Sequence, residues 1–208
     1  MKLSQYADDT CLFLKDEEQV EPVLRIIKDF GIFAGPKLNI QKTEGIWLGT
    51  KKYRQANCSL GNIKWPTDPI RCLGIYIGTD YKKCEFLNWW CKLQKIENQL
   101  KLWKMRNLSL IGKVTVVKHL IIPKLLFSCQ FFEFPIGFVK QLESIVYEYI
   151  WGSRDKIKRN TFISDIQDGG LQMVDFESKA KSMRATWMCK IHKDDSQWSF
   201  FGNNILCF

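Results

Sequence analysis

The sequence has few of the patterns that mark zinc-stabilised or disulfide-stabilised proteins. It contains only two histidines, His119 and His192, and none of its eight cysteines belongs to a Cys-x-x-Cys pair. Structural zinc sites need ligands at such spacings, so we expect no zinc site. Scattered thiols are typical of a reducing compartment, where cysteines stay free.

Long apolar runs are also absent. The apolar stretch around residues 120–127 is interrupted by Lys124 and is shorter than the roughly 20 residues of a membrane-spanning helix. The first residues, Met1–Gln5, lack the apolar core of a signal peptide. We therefore expect an intracellular protein, in the nucleus or the cytoplasm, with no membrane partner.

The positive charge of the chain is concentrated in its middle third. The net charge is +9, and residues 51–125 alone carry fifteen basic and four acidic residues, a local excess of +11. Residues 1–50 have a net charge of −2, and residues 126–208 have none. Such a segment is either a solvated surface or a binding surface for a phosphate backbone. Charge alone leaves both interpretations open.

The N-terminal part of the sequence has short strand patterns and one helical pattern. Residues 1–15 predict a β-hairpin with a polar turn at Ala7–Asp8–Asp9. An acidic helix start at Asp16 and apolar residues at helical spacing predict a helix that ends at Gly31. Further strands are predicted at Leu38–Ile40, Gly45–Gly49, Asn62–Trp65 and Cys72–Ile77.

Helical periodicity dominates after residue 80. Trp89, Leu93, Ile96, Leu100 and Trp103 lie on one helical stripe. Further helices are predicted from Ser109 to a break at Pro123, from Gly137 to Tyr149 and from Lys179 to His192, with a turn at Asp168–Gly170. Strands with one helix followed by mostly helices predict an α+β fold with a boundary near residue 80.

The sharpest candidate for chemistry is the Asp8–Asp9 pair. Adjacent carboxylates at a hairpin tip offer the hard oxygen ligands that Mg²⁺ prefers. The alternative is an ordinary turn, because aspartate is common in turns and the chain has a second Asp pair at 194–195 without a proposed role.

The residues around this pair resemble a known family. Gln5–Thr10 resembles the Tyr-x-Asp-Asp hairpin of reverse transcriptases, and the rest of the chain follows the order of the non-LTR (LINE-type) retrotransposon enzymes. Leu38–Thr43 is similar to the palm motif after that hairpin, Arg71–Ile75 to the primer-grip strand, Leu102–Lys113 and Ile122–Phe127 to the thumb helices, and Trp151–Gly152 and Gly169–Asp175 to the connecting region.

The resemblance implies a partial polymerase palm at residues 1–80, a helical thumb at 81–150 and a mostly helical connecting region at 151–208. It implies an RNA-directed DNA polymerase that uses Mg²⁺, an RNA template and a DNA primer. Because the resemblance begins at the hairpin, the fingers and an earlier palm aspartate would be missing, and we expect this chain alone not to polymerise DNA. The alternatives are a non-catalytic nucleic-acid-binding remnant and a poorly folded remnant.

The same resemblance implies roles for individual residues. Asp8 and Asp9 would hold the metal, and Lys42 would approach the triphosphate. Tyr6, Leu73 and Gly74 would lie at the primer. The thumb lysines implied to contact nucleic acid are Lys92, Lys101, Lys104, Lys113 and Lys118. Simpler alternatives are a solvated loop lysine at Lys42, a buried strand at Leu73–Gly74 and a core role for the helical apolar stripes.

Overall fold

The computed structural model of the protein describes residues 2–51, 60–65, 69–152 and 155–193. The chain divides into two compact units, residues 1–84 and residues 85–208. Within the described ranges the first unit contains two antiparallel hairpins and one long helix, and the second is helical. The predicted α+β fold class is therefore confirmed.

The first hairpin joins β1 (Lys2–Tyr6) to β2 (Asp9–Phe13). Tyr6 lies opposite Asp9, so only Ala7 and Asp8 form the turn. Two-residue hairpin turns need a positive φ at their first central position because the strands twist, and Ala7 has a φ of 51°. The predicted hairpin is confirmed, with a turn one residue shorter than predicted.

The helix that follows is longer than predicted. A short 3₁₀ turn (Glu17–Gln19) leads into α1 (Val20–Ala34), which passes the predicted end at Gly31. Gly35 ends the helix with a φ of 90°, a conformation that glycine adopts without strain. A Cβ on Gly31 would lie 2.4 Å from the carbonyl oxygen of Pro36, so the absent side chain gives room for the returning chain.

The segment after α1 forms turns instead of the predicted strand pair. The carbonyl oxygen of Asn39 accepts hydrogen bonds from the N–H groups of Lys42 (3.1 Å) and Thr43 (3.0 Å). The side-chain oxygen of Asn39 accepts a further bond from the N–H of Lys42. Asparagine organises turns in this way by bonding to nearby backbone. The predictions of strands at Leu38–Ile40 and Gly45–Gly49 are therefore wrong.

A single parallel bridge between Glu44 and Lys64 joins two loop segments of the first unit. The rings of Trp47 and Trp65 stack beside it, with centroids 5.0 Å apart and planes 15° from parallel. A Cβ on Gly45 would lie 2.7 Å from the Trp65 ring, so this glycine permits the close approach. The predicted strand at Asn62–Trp65 is wrong, because these residues contribute only this bridge.

The second hairpin joins β3 (Ile70–Cys72) to β4 (Ile75–Ile77). Cys72 pairs with Ile75, so the chain reverses at Leu73 and Gly74. Both turn residues have a positive φ, 48° and 83°, as a type I′ turn requires. The prediction of one continuous strand over Cys72–Ile77 is wrong because β-branched composition does not reveal a turn inside an apolar run.

In the second unit the predicted stripe of the first helix is buried. A helix α2 (Tyr81–Glu85) at the unit boundary and a π-helical turn (Phe86–Trp90) precede α3 (Cys91–Lys104). The side chains of Trp89, Leu93, Ile96 and Leu100 are at most 5% exposed. The half-buried Trp103 ring carries the guanidinium of Arg106, 4.5 Å from its centroid. The helical period therefore predicts the core face of α3.

The next helix begins as predicted and does not break at Pro123. The Ser109 hydroxyl accepts a hydrogen bond from the N–H of Gly112 and so caps α4 (Leu110–Val116). A π-helical turn (Val117–Ile121) links α4 to α5 (Ile122–Cys129). Pro123 lies in the first turn of α5, where its missing N–H is tolerated.

Three further helices lie in the described part of the second unit: α6 (Phe138–Trp151), α7 (Arg159–Ile163) and α8 (Phe176–Lys193). The ring of Phe138 lies 5.1 Å from that of Trp89, and the ring of Phe162 lies 5.4 Å from that of Trp151. Gly169, with a φ of 79°, ends a 3₁₀ turn at the predicted Asp168–Gly170 turn. Aromatic contacts therefore join α6 to the π-helical turn Phe86–Trp90 and to α7.

Burial in this helical core predicts a large difference between two leucines. Leu142 is fully buried on α6, whereas Leu102 is 67% exposed on α3. Leu142→Ala should lower the free energy of unfolding by roughly 2–5 kcal/mol because it removes buried methyl groups and leaves a cavity. The matched control Leu102→Ala should change it by less than about 0.5 kcal/mol. Urea unfolding followed by far-UV circular dichroism measures both, and equal effects would contradict the described packing.

Candidate functional site

The two candidate carboxylates lie at the tip of the first hairpin. Asp8 is the second turn residue, and Asp9 is the first residue of β2. Both side chains are exposed. The positive φ of Ala7 closes the turn in two residues, so Asp8 and Asp9 are consecutive residues at one end of the strands. This is the position that the sequence predicted for them.

The carboxylates supply only part of a metal site. Their oxygens suit Mg²⁺, but two metal ions that bridge an attacking and a leaving oxygen need ligands from more than one side. Within the described ranges no group of three or more His, Cys, Asp or Glu side chains is arranged to hold a metal. The residues present therefore do not form a complete two-metal centre.

Two other predicted residues of the first unit have exposed side chains. The Tyr6 ring is 72% exposed at the end of β1, next to the turn with the carboxylates. Lys42 lies in the turn that Asn39 organises, with its backbone N–H bound to Asn39 and its side chain exposed. The geometry therefore brings Tyr6 and the two aspartates together at one hairpin tip.

The predicted primer-grip residues form the turn of the second hairpin. Leu73 lies outside both strands. It is 43% exposed and therefore not buried. A Cβ on Gly74 would meet no atom within 4 Å, so the requirement for glycine is its φ of 83° and not crowding. Both the strand prediction for this pair and its buried-strand alternative are wrong. In this turn Leu73 is exposed and Gly74 is half-buried.

A thiol contact connects the two hairpins. The Sγ atoms of Cys11 on β2 and Cys72 on β3 are 3.3 Å apart, and both residues are half-buried. Asp9 and Cys11 are two residues apart on one strand, so they share a face of β2. Burial, followed by the hydrogen bond with Cys11 and the charges of Cys11 and Asp9, raises the pKa of the Cys72 thiol to about 11. The strand carrying Asp9 therefore meets the strand that precedes Leu73.

This thiol contact was missed by sequence reasoning. Cys11 follows the aspartate pair by two residues, and Cys72 directly precedes Leu73, but 61 positions separate the two cysteines. No motif spacing connects residues that far apart. The cysteines described here, including these two, are all free thiols.

Two of the five lysines predicted to contact nucleic acid form hydrogen bonds within the protein. The Lys92 ammonium is half-buried and donates a hydrogen bond to the hydroxyl of Ser128, which is fully buried. The Lys113 ammonium donates to the carbonyl oxygen of Ile150 at 3.0 Å, near the end of α6, where a cation is favourable. Both lysines therefore stabilise helix contacts, and charge patterning did not reveal this.

The other predicted thumb lysines are closer to solvent. Lys101 and Lys104 form surface ion pairs with Glu97 (2.6 Å) and Glu148 (4.0 Å), and their side chains are 66% and 50% exposed. Lys118 is half-buried in the π-helical turn Val117–Ile121. Exposed pairs of this kind contribute only about 0–1 kcal/mol, so Lys101 and Lys104 can exchange their partners for another anion.

A small groove of about 70 Å³ lies between α3 and α6 beside these ion pairs. Its charged side chains are two carboxylates and two ammonium groups, so its local charge is balanced. The buried hydroxyl of Tyr149, at its apolar side, has no hydrogen-bond partner. The residues that line the groove are Glu97, Leu100, Lys101, Lys104, Ile145, Glu148 and Tyr149.

No model of a known protein family matches this chain. Among the described residues, no helix is both long enough and apolar enough to cross a lipid bilayer.

The exposed carboxylates predict local metal binding at the hairpin tip. Titration with Mn²⁺ should broaden the amide NMR signals of residues 6–10 before others, because a paramagnetic ion relaxes nearby nuclei. The double variant Asp8→Asn, Asp9→Asn should lose this broadening, whereas Asp29→Asn on the exposed side of α1 should retain it. Broadening that is uniform over the chain would contradict a site at the tip.

Proposed function

We propose that this chain is part of an RNA-directed DNA polymerase of the non-LTR retrotransposon type. In this proposal residues 1–80 belong to the palm, residues 81–150 to the thumb and residues 151–208 to the connecting region. The observation that carries the proposal is the two-residue turn that holds Asp8 and Asp9, together with Tyr6, at an exposed hairpin tip. The ordered motif resemblance supplies the family.

The residues have distinct roles in this proposal. Asp8 and Asp9 contribute metal ligands, and the exposed Tyr6 ring contacts the end of the primer. The turn at Leu73 and Gly74 offers backbone groups to the primer strand. The thiol contact that joins β2 to β3 supports this arrangement, because it keeps the second hairpin next to the strand that carries Asp9.

Two carboxylates from one hairpin are too few for phosphoryl transfer with two metal ions. We therefore propose that the 208-residue chain has no polymerase activity by itself. Primer extension with an RNA template, deoxynucleotides and Mg²⁺ should give no incorporation above that of the double variant Asp8→Ala, Asp9→Ala. Incorporation above that control would show that these residues suffice, and the proposed incompleteness would be wrong.

A chimera tests the family assignment directly. Residues 2–13 should replace the corresponding hairpin of an active non-LTR reverse transcriptase without loss of more than about tenfold in rate, because the exposed hairpin carries its own turn geometry. Asp9→Asn in the chimera should lower incorporation by roughly 100-fold or more, since a metal ligand contributes several kcal/mol. The control Ser4→Ala, an exposed β1 position, should not.

The chimera also has a clear negative outcome. If it folds with the thermal stability of the parent enzyme but incorporates no nucleotide, this hairpin is not a polymerase hairpin. The ordinary-turn alternative for Asp8 and Asp9 would then hold.

A non-catalytic nucleic-acid binder is the second candidate, and the exposure of Lys101 and Lys104 favours it. The variant Lys101→Gln, Lys104→Gln should weaken binding to an RNA–DNA duplex. It should also reduce the slope of log K against log salt by roughly 2, because two phosphate contacts are lost. Fluorescence anisotropy at several salt concentrations measures both quantities.

The matched control changes the same charge elsewhere. Lys179 and Lys181 are exposed on α8, and Lys179→Gln, Lys181→Gln should leave the salt slope unchanged. Lys92 and Lys113 are unsuitable for this test because their ammonium groups hold helix contacts. Equal losses in both double variants would show that binding depends on net charge and not on this surface.

A further inference from the structure

Cys11 and Cys72 bring two thiol groups close together in the first unit. Their sulfur atoms are 3.3 Å apart, whereas bonded sulfur atoms in a disulfide are about 2 Å apart. A shift of little more than 1 Å would therefore bring the atoms to bonding distance. Both cysteine residues are half-buried, so neither is sealed in the core.

The two cysteines lie on different structural elements. Cys11 pairs across its hairpin with Ser4, and Cys72 pairs across its hairpin with Ile75. The backbone hydrogen bonds stay within each hairpin, so the two sheets are separate. A bond between the sulfur atoms would be a covalent link between these two sheets.

We propose that Cys11 and Cys72 form a reversible disulfide, which makes this pair a redox modification site. Oxidised glutathione, a small-molecule disulfide, is the oxidant. This inference does not rest on the proposed polymerase function, because it requires only the close approach of the two sulfur atoms.

The reaction proceeds by two exchanges. The Cys11 thiol loses its proton to solvent and its sulfur attacks one glutathione sulfur, which forms a mixed disulfide; the other glutathione sulfur leaves as a thiolate and takes up a proton to give reduced glutathione. The Cys72 sulfur then gives up its proton and attacks the Cys11 sulfur, which forms the protein disulfide and releases the second glutathione. Two thiols are oxidised and one glutathione disulfide is reduced, so atoms and electrons balance.

The environment of Cys72 controls the second exchange. Burial raises the pKa of this thiol to about 11, so Cys72 is protonated at neutral pH and is a slow nucleophile there. The second exchange should therefore be slower than exchange by an exposed thiol with an ordinary pKa.

The bond would alter the stability of the first unit. A cross-link over 61 positions removes much of the conformational freedom of the unfolded chain, and its stabilisation grows with loop length. The melting temperature of the oxidised protein should rise by roughly 10 °C, since a link of this length stabilises by a few kcal/mol. Dithiothreitol should reverse the change.

Peptide mapping tests the pairing. The full chain is incubated with a series of reduced and oxidised glutathione ratios, alkylated and digested with trypsin. Peptide 3–15 linked to peptide 72–82 should be the main intramolecular cross-linked product, together with a loss of two free thiols. Cys11→Ser and Cys72→Ser should each abolish this product, whereas Cys91→Ser, a half-buried cysteine of the second unit, should retain it.

Two outcomes would overturn the proposal. One is the absence of the linked peptide under conditions that oxidise other cysteines of the chain. The other is formation of the link with a lower melting temperature, which would show that the folded geometry does not accept the bond. The Cys11→Ser variant also shows whether a change in melting temperature comes from the lost disulfide or from altered folding. Under reducing conditions its melting temperature should match that of the unaltered chain.

Discussion

Tight turns that need a positive φ determine the geometry of the first unit. One such residue, Ala7, closes the first hairpin, and two, Leu73 and Gly74, close the second. A longer loop at either position would move the flanking side chains out of register, since the two faces of a strand alternate residue by residue. The positions of Asp8 and Asp9, and the face shared by Asp9 and Cys11, both follow from these reversals.

The helices could be predicted from the sequence, and most of the short strands could not. A helix of four turns repeats its apolar period several times, so Leu93, Ile96 and Leu100 identify the core face of α3 without any tertiary information. The segments at residues 38–40 and 45–49 are too short to show a periodic pattern of apolar residues. Their conformation depends on the side chain of Asn39 and on the stacking of Trp47 with Trp65, which no local pattern shows.

The candidate site, like the fold, could be predicted from the sequence only where its structure is local. The tip of the first hairpin was predicted correctly because its turn is formed by neighbouring residues. The reversal at Leu73 was not predicted, because it lies within an apolar run and has no distinctive composition. Lysines were located by charge, yet their roles depend on partners far away in sequence. The hydrogen bond from Lys113 to the Ile150 carbonyl oxygen joins residues that are 37 positions apart in the sequence. This bond makes Lys113 a capping residue of α6 and not a surface cation.

The π-helical turn at Val117–Ile121 has a consequence for how this chain tolerates changes in length. The buried residues up to the end of the turn, Val114, Val117 and Ile121, and those after it, Ile122, Leu125 and Cys129, follow the same spacing with an offset of one position. Deletion of one residue in the turn would restore a uniform helix but rotate one half by about 100° relative to the other. One of the two apolar stripes would then face water. The number of residues in this helical segment is therefore fixed by the core contacts on both sides of the turn.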